Sequence, residues 1–170
     1  YKLQDISLAY FATGNVAIDK ELLKEAGLFD VGFSLYGWED LELGERLRHM
    51  NVKLIKCPQA IGYHWHPPFS LEQIPQLIRV ERERAKMGLF FYRKHPTFRV
   101  RLMIQFTLMH KVLWEVLTLG GLLNEKSLRP CLAWLIRKGY PGIALELLRL
   151  ALNRIGVREI YREATLLGLN

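Results

Sequence analysis

Apolar and polar residues follow two different rhythms along the chain. Up to residue 66 the apolar positions come in short runs that often alternate: SLAYFATGNVAI, VKLIKC and AIGYHWH. Alternation of this kind, rich in β-branched and aromatic residues, predicts strands, with Gly14-Asn15 as a bend or bulge in the first. Between the runs, Asp19 is placed to cap a short helix over KELLKEAG, which Gly27 closes. LFDVGF reads as a loop with apolar anchors, and LYGWEDLELGERLRHM as a loop running into a helix. Pro58 interrupts the later extended run and Pro67-Pro68 ends it.

From Ser70 onward the spacing turns helical. Ser70 caps LEQIPQLIRVERERAKMGLFFYRK, with Pro75 near its first turn. Helix resumes near Phe98 and carries Leu102, Phe106, Met109, Leu113 and Leu117 on one stripe, with Lys111 and Glu115 on another, until Gly120-Gly121. Two shorter helices follow, around 128–138 and 141–154, joined by Gly139-Tyr140, and Pro141 suits a first helical position. A last helix covers 157–167. The fold class expected is therefore α+β: a short α/β portion over residues 1–68 and an all-helical, basic, amphipathic region over 69–170. No second copy of the helical hairpin is found, so no repeat is read.

Charge divides the chain at the same place. Residues 1–66 carry 7 Lys/Arg and 9 Asp/Glu, whereas 67–170 carry 17 and 8, a net +9. The apolar window Leu102–Leu123 is interrupted by Gln105, His110, Lys111 and Glu115, short of the roughly 20 mostly uncharged residues of a spanning helix. Beside it lies the basic, aromatic cluster YRKHPTFRVR, and Trp114, Trp134 and Tyr140 sit among apolar helices with Lys/Arg flanks. Such helices suit peripheral contact with an anionic membrane surface; the competing reading is that the stripes pack on one another as a bundle. No groove-reading motif accompanies the basic residues, so nucleic acid is not an expected partner. RVERERAKMG mixes signs as a solvated helix face does. Two cysteines, Cys57 and Cys131, provide no disulfide framework and read as small buried hydrophobes in a reducing compartment. The expected location is cytoplasmic, at the inner face of a membrane. The sequence opens in mid-pattern, without an initiator Met, as expected of a piece of something longer.

The sharpest chemistry lies in Gly37-Trp38-Glu39-Asp40. On a helix starting here, Leu43, Leu47 and Met50 fall in a narrow arc next to Asp40, while Glu42, Glu45, Arg46 and His49 fall on the far side, facing water. Asp40 then stands at a helix mouth beside the core, where free N–H groups favour its ionised form and its direction is fixed. A general base requires both. Trp38 offers a flat apolar face for a sugar ring. An ordinary first-turn acid beside a core Trp is the plainer alternative.

Context favours the chemical reading. FATGNVAIDKELLKEAGLFDVGFSLYGWEDLELGERLRHMNVKLIKCPQAIGYHWHP resembles the acceptor-side half of GT-A-fold glycosyltransferases. It is most similar to family 2 enzymes and to the galactosyltransferase C-terminal domain. The ordered elements are Thr-Gly-Asn, Gly-Leu-Phe-Asp, Gly-Trp-Glu-Asp leading into Leu-Glu-Leu-Gly-x-Arg-Leu, and a late His. The resemblance implies inverting transfer of a sugar from a nucleotide-sugar donor to a carbohydrate or lipid-linked acceptor. By it, Asp40 is the catalytic base, Glu39 binds acceptor hydroxyls, and Gly37 and Trp38 line the acceptor pocket. Gly14 and Asn15 lie near the donor, and His64 joins a divalent metal, Mn²⁺ or Mg²⁺, under the diphosphate. His64 and His66 share one face of an extended segment, but a closed metal site needs further ligands. No two aspartates have the Asp-x-Asp spacing by which this family holds the metal. The expectation is an acceptor half without its donor half, inactive alone. The second hypothesis is a non-catalytic helical module that docks a membrane or a protein partner.

Overall fold

The computed structural model describes residues 11–169. The chain forms two compact units, one ending at Trp65 and the other beginning at His66.

In the first unit, α1 (Lys20–Glu25) is capped as expected: the Asp19 carboxylate accepts from Glu21 N and Leu22 N at 2.9 and 3.0 Å. Gly27, at φ 87°, takes the left-handed turn that ends it. After a loop comes α2 (Glu39–His49). A small core joins Phe11, Ala26, Leu43 and Leu47, with Val16, Ile18, Leu22, Met50, Val52 and Leu54 packed against it.

The expected strands are not formed among the described residues, which corrects the α+β assignment; residues 7–10 of the first expected run lie outside the described residues. Among the described residues the chain is helical, and the β structure is confined to a lone bridge at Ile55. The alternation is nonetheless real: Val52 and Leu54 turn toward the core while Lys53 and Ile55 are exposed. Alternation chooses faces, whereas a strand also needs a neighbour with which to exchange backbone hydrogen bonds. Here Ala60 O accepts from the Asn15 side chain at 2.7 Å, and Ala60 N and Ile61 N turn back locally onto Cys57 O and Gln59 O. Cys57 and Cys131 are exposed, not buried as the sequence suggested: Cys57 borders an open hollow, and in the second unit Leu132, not its neighbour Cys131, is the residue that packs into the core.

In the second unit, a 3-10 turn at Leu71–Gln73 opens on a capping box between Ser70 and Gln73 and leads into α3 (Ile74–Lys94), with Pro75 in its first turn. Then come α4 (Phe98–Met103), α5 (Leu108–Leu117), a 3-10 turn at Leu119–Gly121, α6 (Arg129–Arg137) and α7 (Pro141–Leu166). The last two helices of the sequence reading are one: Gly156 sits inside α7, buried, where a Cβ would meet Glu81 Oε2 at 3.3 Å. Gly156 thus permits close approach of α7 to α3 within a continuous helix. The two long helices run in the same direction, since Glu81 stands opposite Gly156 and Lys86 lies 3.9 Å from Glu163. Their stripes pack on α6 through Phe69, Ile74, Leu132, Ala144, Leu148 and Leu152.

The helix expected from Phe98 to Leu117 is broken between α4 and α5. Gln105 adopts a left-handed backbone (φ 60°), Arg101 Nε donates to Phe106 O at 3.1 Å across the turn, and Thr107 caps α5. The break rotates α5, so Met109, Leu113 and Leu117 face water and not the bundle. Its polar side faces α7: Glu115 accepts from Arg154 Nη2 at 3.0 Å and from Arg158 Nε at 2.7 Å. The Arg158 hydrogen bond, helped by Arg154, holds the Glu115 carboxyl below its ordinary 4.5. A carboxyl with a depressed folded-state pKa stabilises the fold above its unfolded pKa and ceases to do so as pH falls through the folded one. The contact of α5 with α7 is therefore expected to hold at neutral pH and to loosen below about 4.5. Emission of the α5 residue Trp114, taken as the difference between the chain and its Trp114→Phe variant across pH 3–7, checks this. In Glu115→Gln that acid transition should be absent.

Candidate functional site

The site is built where the first unit's loop enters α2. Gly37 and Trp38 both have positive φ, 96° and 78°. Glycine accepts this freely, but a bulky side chain there is strained by about 1–2 kcal/mol. The left-handed pair turns the chain so that Trp38 O accepts the first helical hydrogen bond, from Glu42 N at 2.9 Å. The half-buried Trp38, Glu39 and Asp40 are thereby gathered at one helix mouth.

Asp40 is anchored across the sequence. Its Oδ2 accepts from Thr13 N at 3.1 Å and lies 3.4 Å from Thr13 Oγ1, while Oδ1 accepts from Leu41 N at 2.8 Å. The Thr-Gly-Asn segment thus reaches Asp40 at one end. At its other end Asn15 Nδ2 bonds Ala60 O at 2.7 Å, and a Cβ on Gly62 would meet that amide at 3.2 Å. Thr13, Asn15, Asp40 and Ala60 are therefore linked through three segments distant in sequence. Glu39 differs from its neighbour: its Oε2 is buried and has no hydrogen-bond partner among the described residues. An unsatisfied buried carboxylate oxygen is costly, and a ligand hydroxyl would relieve it.

The acids that follow are not solvated. Glu42 and Glu45, expected to face water, are 0% and 1% exposed. Glu42 meets Arg46 Nη2 at 2.8 Å, and the same guanidinium bonds Leu28 O at 2.6 Å and Ala26 O. Arg48 Nη2 meets Glu45 at 2.7 Å. Helical angles alone place these acids opposite the Leu43 stripe, but α2 is covered on both sides. Arg46 ties α2 to the carbonyls that end α1 and so holds the loop between them. Sequence reasoning missed this tie and Thr13. The signals present were the i,i+4 spacing of Glu42 and Arg46 and the first residue of the Thr-Gly-Asn triplet.

A hollow of about 810 Å³ lies in the same unit, lined by residues that include Asn15, Asp19, Leu47, Lys53, Cys57 and Ala60. Asp40 and Trp38 are not on its wall; Asn15 is the predicted site residue that is. Gly14 is open, with nothing within 4 Å of where a Cβ would stand. His64 and His66 are exposed, in a segment without regular secondary structure together with Tyr63 and Trp65. Among the described residues no three His, Cys, Asp or Glu side chains gather as a metal site would require. His64 and its neighbours do not by themselves fit a divalent ion.

No family model matches the chain, and no solved structure does. Curated relatives do match over part of it. A hyaluronan synthase of Pasteurella multocida is 37% identical over 67 residues, 39% of this chain and 7% of the relative. A chondroitin synthase of the same species, strain Pm70, is 39% identical over an equal length, and a chondroitin synthase of Escherichia coli is 33% identical over 97 residues, 55% of this chain and 14% of the relative. The chain spans a small fraction of the length of these proteins. It is thus homologous, over part of its length, to bacterial synthases of hyaluronan and chondroitin.

Proposed function

We propose that this chain is the acceptor side of an inverting, GT-A-type glycosyltransferase that moves a sugar from a nucleotide-sugar donor to a saccharide hydroxyl. The observation that carries the reading is the helix mouth at 38–40, an oriented carboxylate beside an unsatisfied one. Asp40, fixed by Thr13 and Leu41, is the general base. It takes the proton of the acceptor hydroxyl as that oxygen bonds to the anomeric carbon. The bond from that carbon to the nucleoside diphosphate breaks, and the diphosphate leaves with the electron pair. The free Oε2 of Glu39 accepts from a second acceptor hydroxyl, and Trp38 stacks on the sugar ring. Its strained backbone holds the indole at this point, as strained residues at binding sites do. Partial similarity to synthases of hyaluronan and chondroitin supports an acceptor of that polysaccharide class.

Charge neutralisation of the leaving diphosphate and most donor contacts come, in this reading, from outside the chain, since no Asp-x-Asp pair is present. The 170-residue chain is accordingly expected to turn over no nucleotide sugar alone. A protein joining it to a donor-binding half should extend hyaluronan or chondroitin oligosaccharides. Product analysis with a panel of nucleotide sugars, with and without Mn²⁺ or Mg²⁺, checks both expectations. Turnover by the chain alone overturns the division of labour, and failure of the joined protein with every donor overturns the reading.

A further inference from the structure

In the second unit, α6 buries one side and leaves a chemically different one open. Leu132 is fully buried, and Leu135 and Ile136 pack on the core. At about 100° per residue the opposite side falls at Trp134, with Arg137 and Lys138 within about 60° of it. All three are exposed, Trp134 by 50%. Gly139, at φ 83°, then turns the chain into α7, and the exposed Tyr140 stands at the N-cap of that helix. A Cβ on Gly139 would meet nothing within 4 Å, so the ground beside the turn is open.

Charge and ring chemistry decide the occupant. From Lys126 to Leu145 the sequence holds four Lys/Arg and no Asp or Glu. Arg129, at the start of α6, acts on Glu72, and the next acid along α7, Glu146, is bound by Arg149. The side chains of Arg137 and Lys138 make no hydrogen bond or ion pair among the described residues. The carbonyls that end α6 favour cations there, but they do not call for an indole left half outside the core. Beside the cations that ring offers a flat apolar face with a polar edge. A guanidinium takes a carboxylate by two parallel hydrogen bonds. A sugar ring on the indole and a carboxylate on the cations together make an acidic saccharide. Lipid fits poorly: apart from Trp134 this side of α6 presents Pro130, Cys131 and the cations, with no apolar stripe to insert.

We propose that Trp134, Arg137, Lys138 and Tyr140 form a binding surface for an acidic polysaccharide, with a sugar ring stacked on Trp134 and a uronate carboxylate held by Arg137 and Lys138. The choice of a uronate rests on the transferase reading: a polymer extended at its end has a length of acidic chain to be held elsewhere. This surface belongs to the second unit, whereas the helix mouth at 38–40 belongs to the first. The test is calorimetric titration of the whole chain with hyaluronan oligosaccharides, with neutral dextran oligosaccharides as the control. The chain is expected to bind the acidic oligosaccharide, less tightly as salt is added, and not the neutral one. Trp134→Ala and Arg137→Gln/Lys138→Gln should each weaken binding by about tenfold or more. Since all three side chains are exposed, circular dichroism of these variants should match the parent. Trp38→Ala separates the two sites. Binding kept in Trp38→Ala and lost in Trp134→Ala supports the surface, whatever becomes of the transferase reading. Binding lost in Trp38→Ala and unchanged in both α6 variants overturns the surface and leaves the helix mouth as the saccharide site. Absence of binding overturns it as well. So does binding of a single-stranded oligonucleotide as tight as that of hyaluronan, which would make this an unselective polyanion patch.

Discussion

Asp40→Asn, made in an enzyme that joins this chain to its donor half, is expected to lower sugar transfer by about 10²–10⁴-fold. Asparagine keeps the size of the side chain and one acceptor oxygen. It can therefore retain one of the contacts now made with Thr13 N and Leu41 N, at 3.1 and 2.8 Å. What it cannot do is take a proton at neutral pH. The loss should fall on kcat, because a general base acts as the transition state forms, and the acceptor KM should change little. Glu39→Gln is the informative companion. Its oxygen without a partner is assigned to binding and not to proton transfer, so its effect should fall mainly on the acceptor KM. Initial rates at varied acceptor concentration separate the two. Transfer by Asp40→Asn near the parent's rate would remove Asp40 from the base role and leave an ordinary first-turn acid.

The second large effect is on stability. Arg46→Ala is expected to destabilise the first unit by about 3 kcal/mol. The guanidinium serves Glu42, fully buried, together with the carbonyls of Ala26 and Leu28. Removing it takes a countercharge from a buried carboxylate and an anchor from the loop that leads to the helix mouth. Arg48→Ala should cost less, because the Arg48 side chain is 38% exposed and solvent can replace part of what it supplies. Urea unfolding of the two variants beside the parent reads the difference. A cost below about 1 kcal/mol for Arg46→Ala would mean that the pair behaves as a surface ion pair. Because Arg46 positions the loop, its loss should also lower transfer in the intact enzyme although it touches no substrate.

Local signals were read well where the physics is local. Asp19 caps α1, Gly27 ends it, Ser70 and Gln73 form a capping box, and Pro141 opens α7. Each depends on a few consecutive residues and on backbone groups that any helix end leaves unpaired. The errors share another cause. The helices expected over 141–154 and 157–167 are one, because helix propensity is a weak prior and the close passage of Glu81 gives Gly156, between them, a packing role. A helical wheel, which knows one buried face, puts Glu42 and Glu45 in water, whereas both are buried in α2. The strands failed because a ladder is a property of two segments and alternation a property of one.

By itself, then, the sequence determined the helix ends, the apolar periods, the change of charge sign between the two regions, and the Gly-Trp-Glu-Asp run that carries the candidate chemistry. Only the tertiary structure decided that Thr13 would hold Asp40, that one Glu39 oxygen would find no partner among the described residues, and that α5 would turn its apolar side outward. The physical reason is range. Caps and periods are settled by neighbours within a turn or two. The direction of a carboxylate and the exposed face of a helix are settled by groups many residues away, such as Thr13 for Asp40 and the arginines of α7 for Glu115.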